Sequence, residues 1–483
     1  MNVDALVTLY VDGKYDTVVK ISDELPADNK GHERAFRVAG LSLIRLGRYE
    51  EARRKIETAM ALAPQTSTIR SWLPPEMLQS FLADAPGFGW ATYQLAILAF
   101  ENRDFASAVK LASTLVDDKA TSDPIRSAAV EMICDLHRRQ LPCWEAVREI
   151  GQLLDRAGAH VAAPTAALFR GIIAYANDDP DGAEAAFSVV AADTTTGLAD
   201  RMKAAQGATT FHTRLQNPLS AHKRYVDWRQ RQSITDLVEP ARGDRFIILC
   251  AADGRYFALF AQSFIASALH RCGDTIIHMH IVNPTAESAA TLQAIRRQIP
   301  WARISTSTEV VDFSAPRPYY ATARFLIAPE VLAAYKLPLV SADIDAVFVK
   351  SPLGGLHQLA NADVGVKFNP LDRLEYPWTK VFATYAYFAP FAGAFEYLFN
   401  VGKYFWDTYD PSGKKNCWWI DQNALLYSCT RAKPGRVRVR DLGSTAVDKI
   451  VEANQPMEQK QDFIKRVSAR YPLQDLQKHR AAS

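Results

Sequence analysis

Residues 336–353 place two carboxylates inside an otherwise apolar segment, and this stretch constrains the fold more than any other. Short apolar runs rich in β-branched residues flank Asp343 and Asp345, a pattern typical of a buried strand. Side chains alternate along an extended chain, so both aspartates are predicted to share one face while Ile344 points into the core. Buried carboxylates need a cation nearby. The pattern fits a Mg²⁺ or Mn²⁺ site completed by substrate phosphates, and the alternative is two aspartates that cap a strand at the surface.

Length and composition are those of a multidomain globular protein. The chain has 483 residues, enough for two or three domains, with 48% hydrophobic and 23% charged residues. Its formal net charge of +3 is small for this length, which argues against a nucleic-acid partner. Six cysteines without a Cys-x-x-Cys pair predict reduced core thiols.

No segment reads as a targeting or membrane signal. The N-terminus lacks a basic region followed by a long apolar run, so no signal peptide and a cytoplasmic location are expected. Residues 381–401 are apolar, but Pro390, Gly393 and Glu396 interrupt them. They predict a strand followed by a buried helix, and no membrane span.

Residues 1–215 contain an internal repeat. Gly13-Lys14-Tyr15-Asp16 recurs as Gly47-Arg48-Tyr49-Glu50, 34 residues later, and weaker copies occupy residues 91–116 and 165–191. The period and the Gly-x-Tyr turn resemble tetratricopeptide (TPR) repeats, which implies an all-α stack of helical hairpins. The concave face of such a stack often binds a protein or peptide partner.

Prolines and glycines set the other boundaries. They are concentrated in residues 64–90, predicted to be an inserted loop, and polar residues 216–244 are predicted to be a linker. Over residues 245–440 strands alternate with helices, which predicts an α/β domain with a mostly parallel sheet. Residues 441–483 are predicted to be a helical tail.

Two strands of this domain carry polar residues at or near their ends. The first leads into Asp253-Gly254-Arg255-Tyr256, and ligands of parallel sheets bind beyond the carboxyl ends of strands. The alternative for Asp253 is a helix N-cap. His278 and His280 share one face of the second strand, where packing is favoured over metal binding.

Three motifs follow one another in a recognisable order. Arg324 lies in an apolar helix, Asp343-x-Asp345 follows, and Asp421-Gln422 opens another apolar helix. In this order they resemble the GT-A glycosyltransferases of the Asp-x-Asp type, glycogenin- and galactosyltransferase-like, over about residues 245–430. The resemblance implies a nucleotide-diphospho-sugar transferase domain.

The resemblance also implies roles for individual residues. Asp343 and Asp345 would hold Mn²⁺ or Mg²⁺, and Asp421 and Gln422 would act at the sugar or the reaction centre. Contacts to the donor, with a UDP-sugar favoured, are implied for Asp253, Tyr256, Arg324 and Lys367.

Alternatives remain open for several of these residues. Arg324 alternatively forms an ion pair inside the fold, and Asp421 alternatively caps its helix. Trp418 and Trp419 either stack on a sugar or belong to the core.

Two features depart from the family pattern. Residues 382–388 replace a turn of the Asn-Ala-Gly type, and the only histidine after Asp421 is His479, so no third metal ligand is identified.

The predicted function is metal-dependent transfer of a sugar from a nucleotide-diphosphate-sugar donor to a protein or glycan acceptor. One alternative is a TPR scaffold with a catalytically inactive GT-A-like domain. Another is a metal-dependent nucleotidyl or phosphoryl transferase.

Overall fold

The chain folds into two compact units. The computed structural model describes residues 3–26, 32–63, 71, 73–273, 275–369, 372–433, 435–453, 459–473 and 475–476. The first unit comprises Met1–Leu198 with Leu371–Glu375, and the second comprises Ala199–Pro370 with Tyr376–Ser483. The predicted linker 216–244 lies inside the second unit, where it contains a helix and a strand.

The described part of the first unit is built from helices. They are α1 (Val3–Val11), α2 (Tyr15–Asp23), α3 (Glu33–Arg45), α4 (Tyr49–Leu62), α5 (Pro75–Asp84), α6 (Gly89–Glu101), α7 (Phe105–Asp117), α8 (Asp123–Gln140), α9 (Cys143–Ala157), α10 (Ala163–Ala176) and α11 (Pro180–Ala191). The prediction of a loop over residues 64–90 is wrong for α5, which starts at a proline because that residue fits the first helical position. Residues 64–70 and 72 lie outside the described residues.

Four turns between paired helices share one backbone geometry. The φ angles of Gly13, Gly47, Arg103 and Asp178 are 75°, 72°, 62° and 61°, all left-handed. The residue after each donates its N–H to the carbonyl five positions earlier, at 2.9 Å in every case. This is the hydrogen bond of a Schellman helix ending, for which glycine is favoured because it has no Cβ. The hairpins are therefore repeated units, and their tetratricopeptide assignment stays a prediction.

Small residues let the paired helices approach closely. A Cβ added to Gly40 would lie 2.6 Å from the side chain of Ile56, and one added to Gly171 would lie 2.5 Å from the ring of Phe187. The position five residues after each of the last three turns holds a fully buried alanine: Ala52, Ala108 and Ala183. Steric fit at these positions thus fixes the separation of the paired helices.

The second unit combines helices with two sheets. Its helices are α12 (Leu198–Arg201), which begins at the unit boundary, α13 (Pro218–Gln230), α14 (Gly254–Cys272), α15 (Ala286–Gln298), α16 (Arg317–Tyr335), α17 (Leu353–Leu356), α18 (Ala392–Thr408), α19 (Ile420–Arg431) and α20 (Lys460–Arg470). Its strands are β1 (Ile234–Asp236), β2 (Ile247–Asp253), β3 (Ile276–Val282), β4 (Ile304–Glu309), β5 (Leu339–Ala342), β6 (Ala346–Phe348), β7 (Val364–Phe368), β8 (Val381–Phe388), β9 (Val439–Asp441) and β10 (Val451–Ala453).

The larger sheet is mixed. Its order is β1-β4-β3-β2-β5-β8-β7-β9, and β10 pairs with β6 in a second sheet. Strands β4, β3, β2 and β5 run parallel, as do β7 and β9, whereas β1 and β8 pair antiparallel with their neighbours. Helices α14 and α16 pack against the central strands β2 and β3. The α/β architecture is as predicted, with antiparallel pairing between β5, β8 and β7 that the sequence pattern did not reveal.

The aspartate-bearing segment is interrupted at the aspartates. Strand β5 ends at Ala342 and β6 begins at Ala346 in the other sheet, so the prediction of one continuous strand is wrong. Ile344 is nevertheless buried, and Asp343 and Asp345 keep part of their surface exposed. Ile344 therefore lies in the core, as predicted, whereas the two aspartates on either side of it remain in contact with solvent.

The apolar segment 381–401 forms β8 and the first part of α18, as predicted. Within the part of the chain that the structure describes, no helix has both the length and the apolar character needed to cross a membrane. All six cysteines are free.

His278 and His280 are buried in a chain of hydrogen bonds. His278 contacts the hydroxyl oxygens of Ser305 and Ser307, each at 2.9 Å. His280 contacts Ser307 at 2.8 Å and Glu309 Oε1 at 3.0 Å. These partners account for both imidazoles as packing residues, the reading that the sequence favours.

Acid is expected to destabilise the second unit through His278. Burial lowers the pKa of His278 to about 3, and the neighbouring His280 adds to the shift. The unfolded imidazole takes up a proton below about pH 6.5, whereas the folded one does not, so stability falls as the pH falls. We expect His278 to account for a loss of about 2 kcal/mol in the free energy of unfolding between about pH 7 and pH 5.

Chemical denaturation at several pH values measures this slope. His278→Asn should flatten it by the contribution of one proton, and exposed His222→Asn in α13 should leave it as in the wild type. An unchanged slope in His278→Asn would show that folding does not shift the pKa of this imidazole.

Candidate active site

The carboxyl ends of β2 and β5 bring two predicted site residues to one sheet edge. The two strands are parallel neighbours; β2 ends at Asp253, and Asp343 follows β5 directly. Oδ1 of Asp253 accepts hydrogen bonds from the backbone N–H groups of Arg255 and Tyr256 at 2.9 and 3.1 Å. Asp253 is thus the N-cap of α14, as the alternative holds, and its contact to a donor stays a prediction.

Arg324 is the centre of the site. Its side chain is 2% exposed, and its Nη1 lies 2.6 Å from Oδ1 of Asp343. Its Nη2 lies 3.9 Å from Oδ2 of Asp421. Nη1 also donates to the carbonyl of Ala321 at 2.5 Å, and Nη2 donates to that of Ala383 at 2.8 Å. The internal ion pair is therefore present, and it joins two motifs that lie far apart in the sequence.

A bulge in β8 supplies two backbone carbonyls that accept hydrogen bonds from Arg324 and Asp343. Pairing with β7 passes from Val366 opposite Ala386 to Lys367 opposite Phe382, so residues 383–385 have no partner on β7. The carbonyl of Ala383 instead accepts from Arg324, and that of Thr384 accepts from the N–H of Asp343 at 2.9 Å. A bulge re-aims backbone groups in this way beside many functional sites.

Three carboxyl groups share the single guanidinium of Arg324. Burial raises the pKa of Asp343 to about 7; Arg324 opposes the rise, and the charges of Asp345 and Asp421 add to it. Burial likewise raises the pKa of Asp345 and of Asp421, again against the effect of Arg324. Because 31% of the Asp343 side chain is exposed, solvent still reaches this cluster. When all three are ionised, their negative charge exceeds the positive charge of Arg324, and a further cation would stabilise the ionised forms.

Asp421 and Gln422 lie in the first turn of α19. The N-cap is Trp419, so the N-cap alternative for Asp421 is wrong. Asp421 lies at the electropositive end of the helix, where a carboxylate is stabilised, and its Oδ1 accepts from the N–H of Gln422 at 2.8 Å. In the orientation that satisfies its hydrogen bonds, the Gln422 amide donates to the carbonyls of Trp378 and Val381 at 2.8 and 2.7 Å. Gln422 thus ties α19 to the start of β8.

Tyr256 meets a residue that the sequence analysis missed. Nζ of Lys460, the first residue of α20, contacts the hydroxyl of Tyr256 and lies 4.1 Å from its ring centroid. The charge of Lys460 also opposes the raised pKa of Asp345. Lys460 follows Asp345 by more than a hundred residues in a polar segment, and no local pattern marks it.

Lys367 forms a separate ion pair. Its Nζ lies 2.6 Å from Oδ1 of Asp448, which also accepts from the hydroxyl of Tyr385 at 3.1 Å. The structure therefore gives Lys367 a carboxylate partner of its own, and its predicted contact to a diphosphate stays a prediction.

The carboxylates of Asp343 and Asp345 suit a hard divalent cation. They supply oxygen ligands and stay partly exposed, and a bound cation would offset the burial that raises their pKa values. Across the described residues no group of three or more His, Cys, Asp or Glu side chains is arranged to hold a metal ion. Two carboxylates fit an ion whose remaining ligands are substrate phosphates and water.

Comparisons with known proteins give weak likenesses only. No protein-family model and no curated protein matches the chain. Among solved structures, the WbbM bifunctional glycosyltransferase is 14% identical over 50% of this chain and 52% of its own, with a TM-score of 0.32. This chain thus spans about half the length of that protein.

Two further structures match at similar levels. The galactosyltransferase LgtC, in complex with donor and acceptor sugar analogs, is 14% identical over 46% of this chain and 95% of its own, with a TM-score of 0.31. Mouse xyloside xylosyltransferase 1 is 9% identical over 41% of this chain and 86% of its own, with a TM-score of 0.26. All three scores indicate weak and partial similarity.

Proposed function

We propose that the second unit is a divalent-metal-dependent glycosyltransferase of GT-A type that uses a nucleotide-diphosphate-sugar donor, with a UDP-sugar favoured. The observation that carries the proposal is the placement of Arg324 between Asp343 and Asp421, beyond the carboxyl ends of the parallel strands β2 and β5. Ligands of α/β sheets bind at that edge.

The reaction exchanges one bond at the sugar for another. The bond from the anomeric carbon to the diphosphate oxygen breaks, a bond to an acceptor hydroxyl oxygen forms, and the hydroxyl proton is released. A divalent ion held by Asp343 and Asp345 would supply Lewis-acid stabilisation of the leaving nucleoside diphosphate.

We assign separate roles to the protein residues around this ion. Arg324 is buried, so we assign it a positioning role: it fixes Asp343 and Asp421 rather than contacting the donor itself. Asp421 orients a sugar or acceptor hydroxyl or takes its proton, because burial raises its pKa towards the range of a general base. Lys460, whose charge acts on Asp345, contacts Tyr256, and we assign Tyr256 to the donor's nucleotide.

Calorimetric titration of UDP, GDP and their common sugar conjugates, with and without Mn²⁺, tests the proposal. We expect metal-dependent binding of one nucleotide to the full chain and at least a tenfold weaker affinity in Asp345→Ala, since that variant removes one of two carboxylate ligands. Asp227→Ala, an exposed aspartate of α13, is the matched control.

The other outcomes separate the alternatives. Release of pyrophosphate during turnover would indicate nucleotidyl transfer in place of sugar transfer. A folded protein that binds none of these nucleotides would be a scaffold whose α/β unit is inactive. In either case the helical hairpins of the first unit stay a proposed surface for a protein or peptide partner.

A further inference from the structure

Trp418 and Trp419 lie on a turn that other segments of the second unit hold in place. Trp419 Nε1 donates to the carbonyl of Lys203 at 2.9 Å, and the Thr209 hydroxyl donates to the carbonyl of Asn416. Asn423, one turn into α19, donates from Nδ2 to the carbonyl of Gly207 at 3.0 Å. Hydrogen bonds thus connect residues both before and after the start of α19 to the segment 203–209.

The backbone at this turn is strained, and the two indoles have different surroundings. Trp419 has a φ of 70°, an unfavourable angle for a bulky residue, which persists only where surrounding contacts impose it. Its indole N–H is engaged by Lys203, whereas Trp418 remains 39% exposed. Nζ of Lys203 lies 5.7 Å from the Trp418 ring centroid. The turn therefore presents Trp418 to solvent while hydrogen bonds tie its neighbours to residues 203–209.

Trp418 lies beside the proposed reaction centre. It precedes Asp421 by three residues, so their Cα atoms are at most about 11 Å apart. Asp421 in turn is 3.9 Å from the guanidinium that holds Asp343. Trp418 and Asp421 are therefore close in space as well as in sequence.

We infer that Trp418 is a stacking platform for a sugar ring of the acceptor, which makes the acceptor a carbohydrate and not a peptide. The inference rests on the proposed function. An indole offers a broad apolar face that suits the C–H face of a pyranose, while the sugar hydroxyls stay in water. A rigid aromatic also loses little conformational entropy when it binds.

The chain provides a matched control for this test. Trp144 in α9 of the first unit is also exposed, at 66%, and Cζ of Arg148 lies 5.4 Å from its ring. It therefore reproduces an exposed indole beside a cation, far from Asp421 in the sequence.

The experiment is a transfer assay with the donor chosen by titration. Acceptor probes are lactose, cellobiose, maltose and chitobiose, beside a pool of random hydroxyl-containing peptides. We expect transfer to at least one saccharide, a KM for it about tenfold higher in Trp418→Ala, and partial recovery in Trp418→Phe. Trp144→Ala should keep the wild-type KM. Indole fluorescence should respond to the saccharide in the wild type and not in Trp418→Phe.

Each contrary outcome has a distinct meaning. Transfer to peptides alone, or an unchanged saccharide KM in a folded Trp418→Ala, would overturn the inference and leave the proposed function standing. Failure of the wild type to bind any nucleotide-sugar would instead overturn the proposed function. Thermal unfolding of each variant excludes misfolding as the cause of a raised KM.

Discussion

Asp343→Asn is expected to reduce kcat/KM for sugar transfer at least about 100-fold, the largest effect on activity that we predict for a single substitution. The substitution keeps the shape of the side chain and removes the charge of one of the two proposed metal ligands. Because burial raises the pKa of Asp343, the folded protein already disfavours the carboxylate form. We therefore expect the unfolding midpoint to be unchanged or higher.

Steady-state kinetics and thermal unfolding of the same preparation check both parts of this prediction. Asp227→Asn, at an exposed position of α13, should keep wild-type kinetics. If Asp343→Asn retained more than half of the wild-type kcat/KM, the carboxylate would have no role at the donor.

Arg324→Met is expected to produce the largest loss of stability, about 3–5 kcal/mol. The variant leaves Asp343 and Asp421 without their shared cation and leaves the carbonyl of Ala383 without the guanidinium that donates to it. Denaturant unfolding measures the loss. Arg317→Met replaces an exposed arginine of the same helix and should lie within about 0.5 kcal/mol of the wild type.

The pH dependence of Arg324→Met follows from the same charges. Without the guanidinium, the pKa of Asp343 rises further, so the folded variant prefers the protonated form. A raised pKa in the folded state gives stability at low pH that is lost as the pH rises. The free energy of unfolding of the variant should therefore approach that of the wild type as the pH is lowered from about 8 to about 5. Adding Asp343→Asn to Arg324→Met should restore part of the lost stability, and a purely additive double variant would contradict the proposed coupling.

The sequence indicated which charged residues lie together better than it described their surroundings. Two carboxylates are costly to bury in an apolar segment, which draws attention to Asp343 and Asp345, and Arg324 stands out in its apolar helix for the same reason. Their contact could be anticipated because a buried arginine needs an anion. The break between β5 and β6 could not, because either strand alone reads as half of one apolar run.

Contacts that depend on tertiary pairing left no local signal. The bulge in β8 arises from a shift in register against β7, and nothing in residues 383–385 alone marks it. Strand β1 has only three residues, none of them buried, so its segment reads as linker although it pairs with β4. The left-handed backbone of Trp419 could not be predicted either, since tryptophan is among the residues least expected in that conformation.

The pairing of β10 with β6 has a consequence for how the protein is made. Strand β6 begins directly after Asp345, and its only described pairing partner, β10, lies about a hundred residues later. At about 5–20 residues per second, a ribosome needs on the order of 5–20 s to cover that distance. A nascent chain that has not reached Val451 already contains every predicted site residue, but the turn with its two aspartates is held on one side only. We therefore expect activity to emerge only after Val451 has been translated, later than the synthesis of every predicted site residue.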